Sequence, residues 1–185
     1  MSHTCPWWFG YFLLFPMRRL AQRPTRILRP FVRPGMRVVE PGCGMGFFTL
    51  DLARMVGPQG RVVAIDLQEM LAGLRRRARR AGLEGRLDIR LAQADRLGIG
   101  DLAGPVDLVL AFHVVHELEQ PATFFAEITT ALKPAGSVLV AEPPLHVSRA
   151  AFEASLAAAE RAGLRVARRP RIGLNKVALL VKSAA

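Results

Sequence analysis

The stretch VVEPGCGMGFFTLDLA, residues 38–53, decides how this chain folds. Val38 and Val39 extend a short apolar run that begins at Arg37 and reads as a strand. FFTLDLARMV, from Phe47 onward, has the spacing of an amphipathic helix. Between them stand Gly42, Gly44 and Gly46, which let the backbone turn tightly and approach a ligand with no side chain in the way. The spacing is G-x-G-x-G. It is not the dinucleotide pattern G-x-G-x-x-G, because position 47 is Phe. Glu40, at the tip of the strand, puts a negative charge beside the loop; a carboxylate there repels a pyrophosphate and suits a ligand that carries an ammonium group.

Outward from this loop, short apolar runs alternate with longer helical patterns. RVVE (37–40), RVVAID (61–66), LDIRLAQ (87–93), VDLVLAF (106–112) and SVLVAE (137–142) read as strands. FFTLDLARMV, QEMLAGLRRRARRAG and ATFFAEITTAL read as helices, with Gly57, Gly82 and Pro134 as stops. Such alternation, with strands apolar throughout, predicts a parallel α/β sheet covered by helices. The tail differs: a helix over about 149–162 is followed by LRVARR and NKVALLVK, whose short connection forces two antiparallel strands. Residues 1–36 lie outside the alternation and are cut by Pro16, Pro24, Pro30 and Pro34. The expected organisation is an N-terminal segment over 1–36 and one core over 37–185.

Two further acids follow strands. Asp66 ends the second, twenty positions after Gly46, where a carboxylate accepts hydrogen bonds from both ribose hydroxyls, and Asp95 follows the third. With these in register, residues 34–182 resemble the class I S-adenosylmethionine-dependent methyltransferases, of the small UbiE-like kind with a minimal core. The resemblance implies a Rossmann-like, seven-stranded, mostly parallel sheet with an antiparallel last strand and helices on both faces. It also implies S-adenosyl-L-methionine as cofactor. The loop Glu40-Pro41-Gly42-Cys43-Gly44-Met45-Gly46 would hold its methionine part, Asp66 its ribose and Asp95 its adenine amino group. Leu67 and Arg96 would flank the ring, and Phe112 would stand on the cofactor side. Taken singly, the loop could be a bare turn, Asp66 a helix cap and Asp95 a turn residue. Cys43 reads as a small structural thiol.

Transfer of a methyl group from a sulfonium is an in-line displacement. The protein holds the nucleophile near the methyl carbon and, where needed, deprotonates it. Three of the four histidines follow strands at their carboxyl ends: His113 and His116 in AFHVVHELEQP, and His146 in AEPPLHVS, with Glu142 nearby. His116 is the candidate base, since a neutral imidazole accepts a proton near pH 7. The resemblance makes His113 a wall on the cofactor side. His113, His116, His146, Glu142 and Cys5 are also metal-ligand types, but no bound metal is expected, because class I enzymes that use one normally present carboxylates there.

The charge and the N-terminus bear on partners. The 185 residues carry a net charge of +11, with 51% hydrophobic and 22% charged residues, which suits a single globular domain and excludes a disordered chain. Of the 26 basic residues only Lys133, Lys176 and Lys182 are lysines. The cluster RRRARR (75–80) is expected to surround most of a solvated helix, giving weak, salt-sensitive contact with nucleic acid at most. The run WWFGYFLLF (7–15) falls short of the roughly 20 residues of a spanning helix, and its basic residues follow it instead of preceding it as in a secretory signal. This points to a cytoplasmic protein; the two cysteines, Cys5 and Cys43, make no disulfide framework. The economical use of the run is a flap in which Trp7, Trp8, Tyr11 and Phe12 cover a small, fairly apolar substrate. The rival use is an interfacial helix with Arg18, Arg19 and Arg23 on anionic lipid. A small-molecule methyltransferase is therefore the leading expectation. An RNA or protein methyltransferase using the basic surface, and a cofactor-binding protein without catalysis, are the alternatives; the motifs do not name the acceptor atom.

Overall fold

The computed structural model of the protein describes residues 23–92 and 96–183. In chain order its elements are α1 (Pro24–Leu28), β1 (Arg37–Pro41), α2 (Thr49–Val56), β2 (Arg61–Asp66), α3 (Gln68–Arg80), β3 (Leu87–Leu91), β4 (Val106–Phe112), α4 (Pro121–Ala131), β5 (Leu132–Glu142), α5 (Arg149–Arg161), β6 (Leu164–Arg168) and β7 (Lys176–Lys182). The seven strands make a mixed sheet in the order β3-β2-β1-β4-β5-β7-β6. By internal contacts the chain divides between Leu91 and Ala92 into two compact units.

In the first unit β1, β2 and β3 pair in parallel, with Glu40 opposite Ala64 and Asp66 opposite Leu91. Four consecutive residues of β1 and four of β2 are buried, as a parallel strand covered on both faces requires. The core begins ahead of Arg37: Leu28 and Val32 are buried, and α1 packs on α2. Helix α3 buries Leu71, Leu74 and Ala78, leaving Arg75, Arg76, Arg79 and Arg80 exposed. At 100° per residue those four cover an arc of about 140°. The expectation that the arginines surround most of the helix is thus corrected. They form one stripe, because the fifth, Arg77, turns inward and is half-buried.

In the second unit β4 pairs in parallel with β5, while β7 runs antiparallel to both β5 and β6. The last strand inserts between its two predecessors, and the short connection between residues 168 and 176 makes its pairing with β6 antiparallel. β5 begins five residues earlier than the apolar pattern SVLVAE suggests: Leu132 already pairs with Val106, and the register shifts before Ser137 meets Leu108. Gly136 sits in this irregular stretch, where a Cβ would lie 2.8 Å from the Val106 carbonyl oxygen. Helix α5 is capped by Ser148, whose Oγ accepts from the Ala151 N–H at 3.0 Å. Ser148→Ala should cost about 1 kcal/mol of stability, read by thermal melting.

Candidate functional site

The glycine loop leaves β1 at Pro41 and is held from β2. The Gly42 and Cys43 N–H groups both donate to the Ile65 carbonyl, at 2.9 and 3.2 Å, and the Gly44 N–H donates to Asp66 Oδ2 at 2.5 Å. Gly42, Gly44 and Gly46 all have positive φ, at 68°, 54° and 88°, a region that L side chains rarely adopt. Their surroundings differ, however. A Cβ on Gly44 would meet nothing within 4 Å, so this is the open point of the loop; one on Gly46 would lie 2.5 Å from Leu74 Cδ1. Gly46 lacks a side chain because its own core occupies the space.

Glu40 lies under this loop, 4% exposed. Burial pushes its carboxyl up to about 8; the nearby Asp66 charge adds to the rise, and the Thr49 hydroxyl, the second-largest influence, opposes it. That hydroxyl nevertheless makes no hydrogen bond of proper geometry: Glu40 Oε2 and Thr49 Oγ1 are both buried without a partner. Asp66 accepts from two backbone groups, Gly44 N–H and, at Oδ1, Leu67 N–H at 2.7 Å. Burial raises its carboxyl above the ordinary value, against the lowering effect of those two bonds. The Cys43 thiol is buried and pushed well up, chiefly by burial and then by the Glu40 and Asp66 charges, which makes it a poor nucleophile. Leu67, 49% exposed, follows Asp66 directly, and Arg96 is exposed. Asp95 lies outside the described residues.

In the second unit the residues after β4 and β5 converge on one buried acid. Glu142, 1% exposed at the end of β5, accepts from the Val115 N–H at 2.9 Å through Oε1 and from His116 Nδ1 through Oε2. His116 sits on a short 3-10 turn, Val115–Glu117, and is partly exposed. With its proton held on Nδ1 by the carboxylate, the neutral ring presents Nε2 as the acceptor. The hydrogen bond to Glu142 raises the His116 pKa above its ordinary 6.5, partial burial opposes this, and the Glu142 and Glu117 charges add to it.

His113 takes a different partner. Its Nε2 lies 2.8 Å from Asn175 Oδ1, while Asn175 Nδ2 donates to the Ile172 carbonyl at 3.0 Å, which fixes the amide so that His113 Nε2–H is the donor. His113 adopts φ 59°, the one non-glycine positive φ among the described residues, and its ring packs on Phe112 at 4.5 Å between centroids. The H-x-x-H pair is thus split between two partners, and His146 is exposed in the loop before α5. No group of three or more His, Cys, Asp or Glu among the described residues is placed to hold a metal ion. Trp7, Trp8, Tyr11, Phe12 and Cys5 lie outside the described residues. Asn175 and Arg77 escape sequence reading, since each acts through a partner 62 or 32 positions away.

An open sheet with its last strand antiparallel, a G-x-G-x-G loop after β1 and an acid closing β2 define a class I S-adenosylmethionine-dependent methyltransferase fold. The chain belongs to the methyltransferase domain family, whose model matches residues 33–165. A crystal structure of a SAM dependent methyltransferase from Aquifex aeolicus superposes with a TM-score of 0.84 at 25% identity, over 98% of this chain and 100% of that one. Among curated sequences, the demethylmenaquinone methyltransferase of Lactococcus lactis subsp. lactis (strain IL1403) is 28% identical over 122 residues, 64% of this chain and 48% of the relative. An uncharacterized 37.1 kDa protein in transposon TN4556 of Streptomyces fradiae is 33% identical over 112 residues, 60% of this chain and 31% of the relative. The chain spans about a third to a half of the length of these two relatives. No helix among the described residues is long and apolar enough to cross a membrane.

Proposed function

We propose that the protein transfers a methyl group from S-adenosyl-L-methionine to a small, fairly apolar acceptor in the cytoplasm. The observation that carries this reading is Glu40: a buried carboxyl oxygen without a partner, under a loop that is open at Gly44. A buried acid in that state is satisfied by a cationic donor, and the ammonium of the cofactor's methionine part is one. Glu40 with the loop over residues 42–46 would hold that part; Asp66 would hold the ribose, Asp95 the adenine amino group, with Leu67 and Arg96 against the ring and Phe112 and His113 as walls. When bound, the cofactor supplies an electrophilic methyl on a sulfonium. The chain's own part is to orient the acceptor, to exclude water with the N-terminal aromatic segment, and to take a proton at His116 Nε2 while Glu142 keeps the ring in the required tautomer. His146, exposed, would lie at the acceptor's edge. An apolar acceptor agrees with the Lactococcus relative, whose name gives demethylmenaquinone as its substrate.

Calorimetry tests the cofactor half. S-adenosylmethionine or S-adenosylhomocysteine should bind in the micromolar range, and Asp66→Ala should weaken binding by ~1–3 kcal/mol, since it removes both the ribose acceptor and the tie to Gly44. A wild type that ignores both ligands yet binds NAD would overturn the reading. Screening thiol, phenol, amine and arsenite acceptors for S-adenosylhomocysteine formation identifies the acceptor class.

A further inference from the structure

Helix α3 meets the glycine loop with one face. Arg77, from the RRRARR cluster, donates through Nη1 to the Met45 carbonyl in the loop. One turn earlier, a Cβ on Gly73 would lie 2.5 Å from Met45 Cε and 3.4 Å from its Cγ. Beside it, Leu74 fills the place a side chain on Gly46 would take. Residues 73 and 77 are i and i+4, so they fall on one stripe of the helix with Leu74 at its edge. A glycine inside a helix lowers helical stability relative to alanine, and here it makes room for Met45, which is itself buried.

We infer that Gly73, Leu74 and Arg77 are positioning residues that seat residues 45 and 46 and thereby set the loop's affinity for the cofactor. The affinity half rests on the loop being the cofactor site, as proposed above. The loop is tied on its β2 side by Asp66 and Ile65 and on its α3 side by these three residues, so its N–H groups are held before any ligand arrives. Losing the α3 tie leaves the ligand to order the loop at its own expense. This gives Arg77 a role its four exposed neighbours lack.

The test uses the full chain with S-adenosylhomocysteine as the calorimetric probe, and amide hydrogen exchange without ligand. Arg77→Met should weaken binding by about tenfold, the loss expected when a charged donor is taken from a carbonyl, and Arg77→Lys should recover most of it. Arg76→Met, which removes the same charge from the exposed stripe, should change binding less than about twofold. Gly73→Ala should weaken binding while leaving the melting temperature close to that of the wild type, because helix propensity and the contact with Met45 oppose each other. In exchange, Arg77→Met should speed the amides of residues 42–46 and leave those of β1 and β2 unchanged. Binding by Arg77→Met equal to wild type, or an equal loss in Arg76→Met, would overturn the affinity half. Unchanged loop exchange in Arg77→Met would overturn the seating itself. A wild type that fails to bind the probe would overturn the cofactor reading and the affinity half with it, with exchange still deciding the seating.

Discussion

His116→Ala should slow methyl transfer by about two to four orders of magnitude on an acceptor that must lose a proton, while cofactor affinity stays within about twofold of wild type. The geometry behind this is the His116–Glu142 pair: the buried carboxylate holds Nδ1–H, and Nε2 is the basic atom. The sign of the pH dependence follows. A general base works unprotonated, and the Glu142 hydrogen bond raises the His116 pKa above 6.5. The acid limb of kcat/KM should therefore lie above pH 6.5, with activity rising as pH increases through it. Glu142→Gln removes the charge and should move that limb to lower pH, and it should also reduce the rate at the plateau by unsettling the tautomer. A pH–rate series on the three proteins checks both effects. Equal plateau rates in His116→Ala and wild type would remove His116 from the chemistry, as would a limb that ignores Glu142→Gln.

Deleting residues 1–16 should leave the described elements folded, since their core starts with Pro24, Leu28 and Val32. Turnover should nevertheless fall steeply, by about a hundredfold or more, with only a modest loss of cofactor binding, if Trp7, Trp8, Tyr11 and Phe12 complete the acceptor pocket and keep water out. The interfacial alternative gives another pattern: unchanged turnover on a soluble acceptor, and lost sedimentation with anionic vesicles. Melting, product formation and vesicle sedimentation on one truncated protein separate the two. Full activity on a soluble acceptor after truncation would sink the flap, and a protein that no longer melts cooperatively would place the segment in the core.

The sequence by itself determined the alternation of strands and helices from Arg37 onward, but not α1, which lies in the segment read as standing outside it. Strands that are buried on both faces carry unbroken apolar runs, so β1, β2 and β4 are visible as RVVE, RVVAID and VDLVLAF, and the short link between residues 168 and 176 dictates the antiparallel pairing of β6 with β7. The glycine loop was legible because positive φ and tight turning demand glycine locally, whatever surrounds it. Where pairing depends on distant residues, composition is silent. The early start of β5 at Leu132 crosses a proline and a glycine that local rules treat as a stop, and only the ladder with Val106 admits it.

The same division runs through the candidate site. Glu40, Asp66, His116 and Glu142 stand out as chemistry-bearing residues at strand ends, so their types and positions can be read in order along the chain. Their states cannot. That Glu40 is a buried acid raised to about 8 with an unpartnered oxygen follows from desolvation by neighbours far apart in sequence. That the two histidines of H-x-x-H part company, one to Asn175 and the other to Glu142, follows from β7 and β5 being brought to the turn after β4. Arg77 shows the limit most plainly. In sequence it is one of five equivalent arginines. Only the packing of α3 against the loop gives it the Met45 carbonyl, while the other four stay exposed on the outer stripe, because a helix's inward direction is set by what it covers and not by the residues it carries.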